Sequence, residues 1–431
     1  MQQKIFLPLT SYLLPLTSYF LLLTFAPIMK TAVIGGGAAG FFLAVNLKEM
    51  MPEMEVTIFE RSQRVLAKVE VSGGGRCNCT NSFARVTDLQ QVYPRGHRLM
   101  KRLFNVFNYQ DAYEWFERHG VPLVTQEDEC VFPKAQDSHA VIDCFLSLAR
   151  RHDIKVMTGE NVTSLSQLEG YDNIVVTTGG SPSGRGLEWL AALGHEVETP
   201  VPSLFSFSVA DKQLQSLQGL VVNDVTAMLP GTKMRAEGPL LITHWGMSGP
   251  AILRLSSYAA RHLAEREYRS PLSIRWVQLT EDGLHAAIKE QQANQARKQL
   301  TSYCPFGLQQ RLWAYLLQKS LELRAAIRWA ELNKKDINRL VNVLLCDTYQ
   351  ISGRAPFKDE FVICGGISLK AVNMSTLESR HVPHLYFAGE VLDIDGVTGG
   401  FNFQAAWTTA YTVARSIAKS PSPGPTPTLP S

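Results

Sequence analysis

The clearest pattern along the chain is a short apolar run that ends in closely spaced glycines. Residues 32–34 predict a buried strand, and apolar residues at helical spacing follow a few positions later. Between the two, Gly35, Gly37 and Gly40 have the spacing G-x-G-x-x-G, and a second apolar run ends at Glu60. The order strand, glycine turn, helix, strand predicts a βαβ unit of a parallel sheet.

The pattern changes twice further along the chain. After Pro200, short apolar runs alternate with glycine and proline turns to about 278, which predicts a small β-barrel or sandwich. From about 280 to 347, apolar residues recur at helical spacing. A last strand at 385–388 and a helix at 402–418 return to the first pattern. We therefore predict an α/β fold in which a Rossmann-type domain is interrupted by a barrel and by helices.

Each part of the first glycine turn suits a dinucleotide. Without a side chain, Gly37 lets the backbone approach a pyrophosphate, and free N–H groups at the helix start, around Ala38 and Ala39, favour phosphates. Glu60, twenty residues after Gly40 (60 − 40), can accept hydrogen bonds from a ribose. A strand–turn–helix without a ligand is the alternative, and the motif alone does not distinguish FAD from NAD.

Further glycine turns later in the chain favour FAD. One strand ends at Thr178-Gly179-Gly180, which is small enough to pass under the cofactor, and another ends at Gly389. There, Glu390 can reach a ribityl hydroxyl or a phosphate-bound water. The final helix opens at Gly399-Gly400, and its N–H groups would point at the flavin N1/C2 edge, where negative charge develops on reduction. Plain βα turns are the alternative interpretation.

The run Ser72-Gly-Gly-Gly-Arg-Cys-Asn-Cys-Thr-Asn81 predicts a further part of the site. Consecutive glycines expose backbone N–H groups, Arg76 offers a fork of donors, and Asn78 can hydrogen-bond a flavin edge. A flexible surface loop is the alternative. The predicted cofactor-binding residues are Gly35, Gly37, Ala38, Ala39, Gly40, Glu60, Arg61, Lys68, Ser72, Gly73, Gly74, Arg76, Cys77, Asn78, Thr178, Gly179, Gly180, Gly389, Glu390, Gly399, Gly400, Phe401 and Asn402.

Composition narrows the class of protein. With 431 residues the chain is long enough for two or three domains. The net charge of +3 gives no nucleic-acid footprint, although a basic stripe on one face would be hidden in this count. Seven scattered cysteines suit reduced thiols in the cytoplasm, and no cluster has zinc-ligand spacing. We predict no metal.

The two ends of the chain have unusual composition. Residues 1–28 contain the repeat Leu-Pro-Leu-Thr-Ser-Tyr and resemble a signal peptide, but prolines interrupt the apolar stretch. We expect translation to start at Met29, which would make 1–28 an upstream extension and leave a cytoplasmic protein without a membrane segment; a cleaved signal or an anchor is the alternative. The proline-rich tail, 420–431, is predicted to be disordered.

The chain resembles flavoproteins of the BaiN and YhiN type, a family that also includes an aminoacetone oxidase. The resemblance rests on the glycine motifs above, on the segments 72–81 and 243–250, and on Gly365-Gly366-Ile367. It implies a discontinuous FAD-binding domain (29–195 and 351–419) with an inserted β-barrel domain (196–279) and a helical domain (280–350). The chain departs from the family at Glu129-Cys130, where Gly-Arg is usual, and at Cys364.

The segment 243–250 supplies the one predicted catalytic residue. His244 lies in a Gly-rich stretch of the barrel, and histidine is the residue type that suits a proton donor near neutral pH. The alternative is a histidine that only hydrogen-bonds within a turn.

The predicted function is an FAD-dependent oxidoreductase, an NAD(P)H-dependent reductase that transfers hydride to a small organic substrate through flavin N5. NAD(P)H would bind transiently, because only one dinucleotide fingerprint is visible. The resemblance also leaves an oxygen-using amine oxidase open. A flavin-containing module that binds RNA or protein is a third alternative. It would need a basic patch on the helical domain, formed by Lys289, Arg297, Lys298, Arg311, Lys334 and Lys335.

Overall fold

The chain folds into a parallel sheet, a closed barrel and a helical segment. The computed structural model describes residues 28–355 and 362–420. The strands, in chain order, are β1 (Lys30–Ile34), β2 (Glu55–Glu60), β3 (Thr80–Asn81), β4 (Leu123–Thr125), β5 (Cys130–Pro133), β6 (Lys155–Thr158), β7 (Asn173–Val176), β8 (Val197–Ser203), β9 (Phe207–Val209), β10 (Val221–Met228), β11 (Arg235–Thr243), β12 (Gly246–Ser248), β13 (Ser270–Arg275), β14 (Asp347–Arg354), β15 (Val362–Ile367) and β16 (Leu385–Phe387). The helices are α1 (Ala38–Met50), α2 (Ala67–Gly75), α3 (His97–Leu103), α4 (Tyr109–Arg118), α5 (His139–Arg151), α6 (Glu188–Ala192), α7 (Lys212–Gln215), α8 (Pro250–Tyr258), α9 (Ala260–Ala264), α10 (Glu281–Asn294), α11 (Gln310–Leu321), α12 (Lys334–Leu345) and α13 (Phe401–Lys419).

The parallel sheet joins the first and last parts of the chain. Its strand order is β16-β7-β1-β2-β6, with Val33 of β1 paired to Ile58 of β2 and to Val175 of β7. The late strand β16 continues the sheet beyond β7, where Tyr386 pairs with Val175. The prediction of a discontinuous Rossmann-type domain with an inserted barrel and helices is confirmed.

An aromatic cluster fixes the final helix against the first. The Phe42 ring of α1 lies 4.6 Å from Trp115 of α4 and 5.0 Å from Trp407 of α13, measured between centroids. Phe145 of α5 lies 5.8 Å from Trp407. Each of these side chains is nearly fully buried. Such large apolar areas supply much of the free energy of folding, so the amino ends of α1 and α13 are held in a fixed relation.

The segment between β2 and β3 is more ordered than a loop. The sequence predicts a polar, glycine-rich loop over 61–80, but the nine residues of α2 lie within it. Leu66 and Val69 are buried and anchor the helix, which is kinked where Ser72, Gly73 and Gly74 leave helical geometry. The glycine run is therefore a rigid turn between a packed helix and β3.

The helical segment is inserted in the chain between two strands of a closed barrel. Its strand order is β10-β11-β12-β9-β14-β13, and β14 pairs with β13 (Tyr349 opposite Leu272) and with β9 (Ile351 opposite Val209). The helices α10 to α12 are thus inserted between two neighbouring barrel strands, and the predicted division at 350 and 351 falls inside β14. Barrel and helices share one core that includes Trp276 and Trp313.

Within 28–355 and 362–420, none of the helices has the length and apolar character needed to span a bilayer. The predictions for the repeat near the start of the chain and for the proline-rich tail lie outside the described residues, apart from Ile28 and Ser420.

Candidate functional site

The glycine turn after β1 lies at the carboxyl edge of the parallel sheet. Gly35 has φ +116°, and a Cβ there would lie 2.5 Å from the Thr177 carbonyl oxygen. A Cβ on Gly40 would lie 2.1 Å from the Gly35 carbonyl oxygen, so glycine is what lets α1 approach β1 this closely. A Cβ on Gly37 would have nothing within 4 Å. Gly37 therefore borders open space beside the turn.

The amino end of α1 faces that space. Gly37 is the N-cap and makes no side-chain capping bond. The first N–H groups of the helix, on Ala38, Ala39 and Gly40, lack intrahelical acceptors, because an α-helix provides none there. With the positive end of the helix dipole behind them, these groups form a site for an anion such as a pyrophosphate.

Glu60 lies at the end of β2, beside the same turn. Its Oε2 accepts from the Gly36 N–H at 2.9 Å, and its Oε1 accepts from the Ser62 N–H at 2.8 Å. These bonds orient the carboxylate and leave lone pairs on both oxygens for ribose hydroxyls. Arg61 is exposed beyond the strand.

The strand end at β7 contributes one residue that the sequence did not single out. Thr177 Oγ donates to the carbonyl oxygen of Gly35 at 2.9 Å and lies 3.1 Å from that of Ile34, which ties β7 to the glycine turn. The predicted Thr178 is exposed. A threonine one position before a predicted glycine turn carries no distinct signal, which is why its role emerges only from the packing.

Glu390 and Lys68 join the last strand end to α2. The Lys68 Nζ donates to Glu390 Oε2 at 2.7 Å, and Oε1 accepts from the Ile363 N–H at 2.9 Å. Burial raises the pKa of Glu390, but the Lys68 ammonium and backbone donors at Ile363 and Gly180 outweigh it and hold the pKa below its ordinary value. Glu390 is therefore an ionised carboxylate at neutral pH.

Three further glycines close this edge of the site. A Cβ on Gly389 would lie 2.9 Å from the Ala39 Cβ, which places the β16 turn directly on the start of α1. A Cβ on Gly179 would lie 3.7 Å from Glu390 Oε2, and one on Gly180 would lie 3.0 Å from Oε1. The ends of β1, β7 and β16 thus meet in one place.

The turn at 72–78 is braced by its arginine. The Arg76 guanidinium lies over the Phe132 ring, 4.2 Å from its centroid, and donates to the Gly73 carbonyl oxygen and to Gln136 Oε1. Ser72 Oγ donates back to the Val69 carbonyl oxygen at 2.8 Å. A Cβ on Gly74 would meet nothing within 4 Å. Arg76 therefore shapes the turn, and the open side of the turn is at Gly74.

Asn78 connects this turn to the final helix. With its amide oriented to satisfy its neighbours, Asn78 accepts from the Gly400 N–H at 3.1 Å and donates to the carbonyl oxygens of Thr80 and Val131. Cys77, buried with φ +60°, sets the bend before it. The Gly400 N–H, expected to face the flavin, is thus held by a side chain of the protein.

The Asn402 side chain is likewise hydrogen-bonded within the protein. Its Oδ1 accepts from the Gly396 N–H at 2.8 Å, and its Nδ2 donates to the Gly396 carbonyl oxygen at 2.9 Å. The Phe401 carbonyl oxygen accepts from the Tyr93 hydroxyl, and that of Gly399 accepts from Asn81. The turn that opens α13 is therefore fixed from several sides.

A buried ion pair that the sequence did not predict supports this turn. Arg95 Nε donates to Asp395 Oδ1 at 2.5 Å, Nη2 donates to Oδ2, and Nη1 donates to the Ser257 carbonyl oxygen on α8. Burial raises the pKa of Asp395 despite the adjacent Arg95 guanidinium, and Ser203 Oγ also donates to it. The pair joins the turn that opens α13 to α8, which follows barrel strand β12 in the chain. The two residues are 300 positions apart, so no local pattern links them.

His244 is not among these contacts. It occupies the two-residue turn between β11 and β12, where its side chain is exposed and its ring lies 4.3 Å from that of Trp245. Its role as a proton donor stays a prediction.

The described residues hold no group of three or more histidines, cysteines and carboxylates that could bind a metal ion.

The arrangement fits FAD on its own geometry. Open space lies at Gly37 and Gly74, uncapped N–H groups face it from α1, and an oriented carboxylate lies at Glu60. In open α/β sheets such ligands bind outside the carboxyl ends of the strands. A pyrophosphate would lie at the start of α1 and a ribose at Glu60, with the flavin toward the turn that opens α13.

The fold and this site define an FAD-dependent oxidoreductase with a Rossmann-type sheet and an inserted barrel. Residues 29–416 match the model of the HI0933-like protein Rossmann domain. The chain therefore belongs to the HI0933-like family, and the resemblance to the BaiN and YhiN type is confirmed.

Individual relatives are moderately similar. The chain is 26% identical over 414 residues to the 3-dehydro-bile acid delta(4,6)-reductase of Clostridium scindens, which covers 89% of this chain and 97% of the relative. It is 26% identical to the ribosomal RNA dihydrouridine synthase of Haemophilus influenzae, over 88% of this chain and 96% of the relative. The 3-ketosteroid delta1-dehydrogenase structure from Sterolibacterium denitrificans aligns with 90% of this chain and 99% of its own at 10% identity, with a TM-score of 0.46.

Proposed function

We propose that the protein is a reductase that uses FAD and NAD(P)H to add two hydrogens across a carbon–carbon double bond conjugated to a carbonyl group. The observation that carries the proposal is the dinucleotide site, in which the open turn at Gly37 and the fixed amino end of α13 lie on one sheet edge. Bound FAD would supply a two-electron carrier whose N5 atom passes hydride to an electron-poor carbon.

The names of two relatives point to the same bond type. A delta(4,6)-reductase of a 3-dehydro-bile acid saturates double bonds in conjugation with the C3 ketone. A dihydrouridine synthase saturates the C5–C6 bond of uracil, which is conjugated to the C4 carbonyl. A steroid and a nucleobase share little besides this electronic arrangement, so the conjugated bond is the common element that we propose for the substrate of this chain.

The protein's own groups would perform four tasks. The N–H groups at the start of α1 would hold the pyrophosphate, and Glu60 would bind the adenosine ribose. The Lys68–Glu390 pair would border the phosphate and ribityl region with a fixed charge pattern. The amino end of α13 would place its positive dipole end beside the flavin, which favours the reduced, more negative state.

Addition across the double bond also needs a proton at the carbon next to the carbonyl group. We propose His244 for this role, because an exposed histidine can exchange protons with solvent near neutral pH. H244Q should lower the rate of substrate reduction by about 100-fold or more while NAD(P)H still reduces the flavin at the normal rate. Equal rates of substrate reduction in H244Q and the parent protein would remove His244 from the mechanism.

The decisive experiment uses the protein expressed from Met29 and purified with its flavin. Anaerobic stopped-flow mixing with NADPH and, separately, with NADH should bleach the visible flavin bands. The reduced protein is then mixed with a 4-en-3-one steroid, a 4,6-dien-3-one steroid or a uridine-containing RNA. Reoxidation by one of these, with a product heavier by two hydrogens, is the expected result.

The alternative is an amine oxidase. In that case neither nucleotide would reduce the flavin, an amine would reduce it, and oxygen would reoxidise it. Colourless protein that FAD cannot reconstitute would overturn the cofactor assignment.

We place the activity in the cytoplasm as part of the proposal, because all seven cysteines are free thiols, which a reducing compartment favours.

A further inference from the structure

The helical segment carries a basic surface that the flavin site does not use. Residues 281–345 contain ten lysines and arginines and six aspartates and glutamates, a formal charge of +4 (10 − 6). The whole chain has a net charge of +3, so everything outside this segment sums to −1 (3 − 4). The near-neutral total therefore conceals a concentration of positive charge in one part of the fold.

Hydrogen bonds bring the parts of the chain that carry these cations close together. The Trp329 N–H donates to the Lys298 carbonyl oxygen at 3.0 Å, Gln299 and Arg328 form an isolated β-bridge, and Gln292 Nε2 donates to the Leu332 carbonyl oxygen at 3.0 Å. The chain leaving α10 thus lies beside the chain entering α12. The exposed cations around this junction are Arg297, Lys298, Arg328, Lys334, Lys335 and Arg339.

The exposed Glu331 lies among these cations, but the ion pairs of the described residues include none of the six. Those of the helical segment involve His285, Lys319 and Arg324. By contrast, Arg311 on another side is engaged with the Ser216 carbonyl oxygen. The six ammonium and guanidinium groups are available to bind a partner.

The exposed face of α12 combines charge with amides. Lys334, Lys335, Asn338, Arg339 and Asn342 line a shallow open groove along the helix, and the opposite face buries Leu340, Val341 and Leu344. Cations bind phosphates, and amide side chains can bond phosphate, sugar or base edges. The groove-lining residues include no apolar side chain, so this surface lacks the apolar face with which an amphipathic helix inserts into a lipid surface.

Two of these lysines oppose the folding of their own helix. Lys334 and Lys335 occupy the first turn of α12, at the positive end of the helix dipole, where cations are unfavourable. The helix is stabilised there by a capping box between Asn333 and Asp336, and Asp336 also pairs with Arg324. Helix stability therefore gives no reason for the lysines, whereas an anion bound at this end would benefit from both the charges and the dipole.

We propose that this basic surface, consisting of Arg297, Lys298, Arg328, Lys334, Lys335 and Arg339, binds the phosphate backbone of an RNA substrate. The inference rests on the proposed function, because uracil is a nucleobase that contains a double bond conjugated to a carbonyl group. Binding of the backbone would position the RNA without reading its sequence, and the flavin site would select the base.

The test compares two charge reversals of equal size in the flavin-loaded protein. The probe is a fluorescently labelled RNA hairpin with uridines in its loop, and binding is followed by anisotropy over a range of salt concentrations. The variant Lys334→Glu with Lys335→Glu should weaken binding at least tenfold and reduce the slope of log K against log salt by about two. Its thermal stability should be unchanged or higher, because glutamate suits a helix start.

The matched control is Arg150→Glu with Arg151→Glu, two exposed residues at the last turn of α5, a helix that packs on the core of the parallel sheet. It removes the same charge but should leave RNA binding unchanged, and its thermal stability should fall slightly, since cations favour a helix carboxyl end. This opposite pattern separates a binding role from a structural one.

Three results would overturn the inference: an unmodified protein that does not bind the hairpin, binding that the Lys334/Lys335 double variant retains, or equal binding to vesicles containing phosphatidylserine. Reduction of the flavin by NADPH and turnover of a small enone are measured on the same proteins. An unmodified, flavin-loaded protein that neither NADPH nor NADH reduces, or whose reduced flavin is reoxidised by neither an enone nor a uridine-containing RNA, would refute the proposed function instead, so the two failures are distinguishable.

Discussion

Gly37 and Gly40 are three residues apart in one turn, yet their surroundings differ. A Cβ on Gly37 enters open space, whereas a Cβ on Gly40 lies 2.1 Å from a backbone oxygen that cannot move independently of β1. Glycine at position 37 therefore leaves room for the ligand, and glycine at position 40 allows α1 to pack closely on the sheet. Sequence spacing gives both glycines equal weight, but the three-dimensional surroundings separate their roles.

This difference predicts opposite outcomes for two single substitutions. Gly37→Asp places a favourable N-cap on α1 and a negative charge where the pyrophosphate would lie. The apoprotein should keep its melting temperature while FAD affinity falls at least about a hundredfold, since like charges at this range repel strongly. Gly40→Ala should instead destabilise the apoprotein by about 1–3 kcal/mol. Differential scanning fluorimetry and flavin titration measure both, and a Gly37→Asp protein with normal flavin content would contradict the site.

The Lys68–Glu390 pair predicts a pH dependence. The folded-state pKa of Glu390 lies below its ordinary value of 4.5, so the carboxylate contributes stability above about pH 4.5 and loses that contribution as the pH falls through the folded-state pKa. Lys68→Met should reduce the apoprotein's unfolding free energy by up to about 1 kcal/mol at pH 7, and by less near pH 4. Arg64→Met is the control, because its pair with Glu70 is more exposed. A pH-independent loss in the Lys68 variant would show that the ammonium acts through packing alone.

Among the elements, the turn before α13 depends on a buried charge. Asp395→Asn would leave the Arg95 guanidinium, 12% exposed, without its carboxylate, and should cost about 3–5 kcal/mol in urea unfolding. The neighbouring Asp393→Asn breaks an ion pair with Arg261, which is 43% exposed, and should cost less than about 1 kcal/mol. Similar losses in the two variants would mean that the turn is held mainly by the Asn402 and Tyr93 hydrogen bonds.

Elements with a local signal were predictable from the sequence, and those defined by distant contacts were not. The order strand, glycine turn and helix at 30–50 follows from spacing alone, and so does the alternation of sheet, barrel and helices. By contrast, α2 depends on burial of Leu66 and Val69, and the engagement of Gly400 by Asn78 depends on a tertiary contact between distant segments. The predicted flavin-facing role of Asn78 came from its residue type and that of Asn402 from its place at the start of α13, whereas the hydrogen bonds that both make within the protein are set by the fold.

At the scale of the whole molecule, the described chain has two hydrophobic cores. One contains the parallel sheet, α1 and α13, and the other contains the barrel with the inserted helices α10 to α12. Polar contacts such as Arg95 with Ser257, and Tyr258 with the Gln91 carbonyl oxygen, connect the two. Because polar links between separate cores usually permit independent opening, the two units should respond differently to a ligand that contacts mainly one of them.

Hydrogen exchange followed by mass spectrometry tests this division directly. FAD at about one hundred times its dissociation constant stabilises the unit that binds it by about 2.7 kcal/mol. Amides of β1, α1 and α13 that exchange through opening of the sheet unit should slow by about a hundredfold, while those of β10, β13 and α11 should change little. The Gly37→Asp variant, treated with the same FAD, should show at most about twofold slowing in the sheet unit and none in the barrel unit. Equal slowing in both units of the parent protein would mean that the cores open as one cooperative body, with the Arg95–Asp395 contact acting as part of a single folding unit.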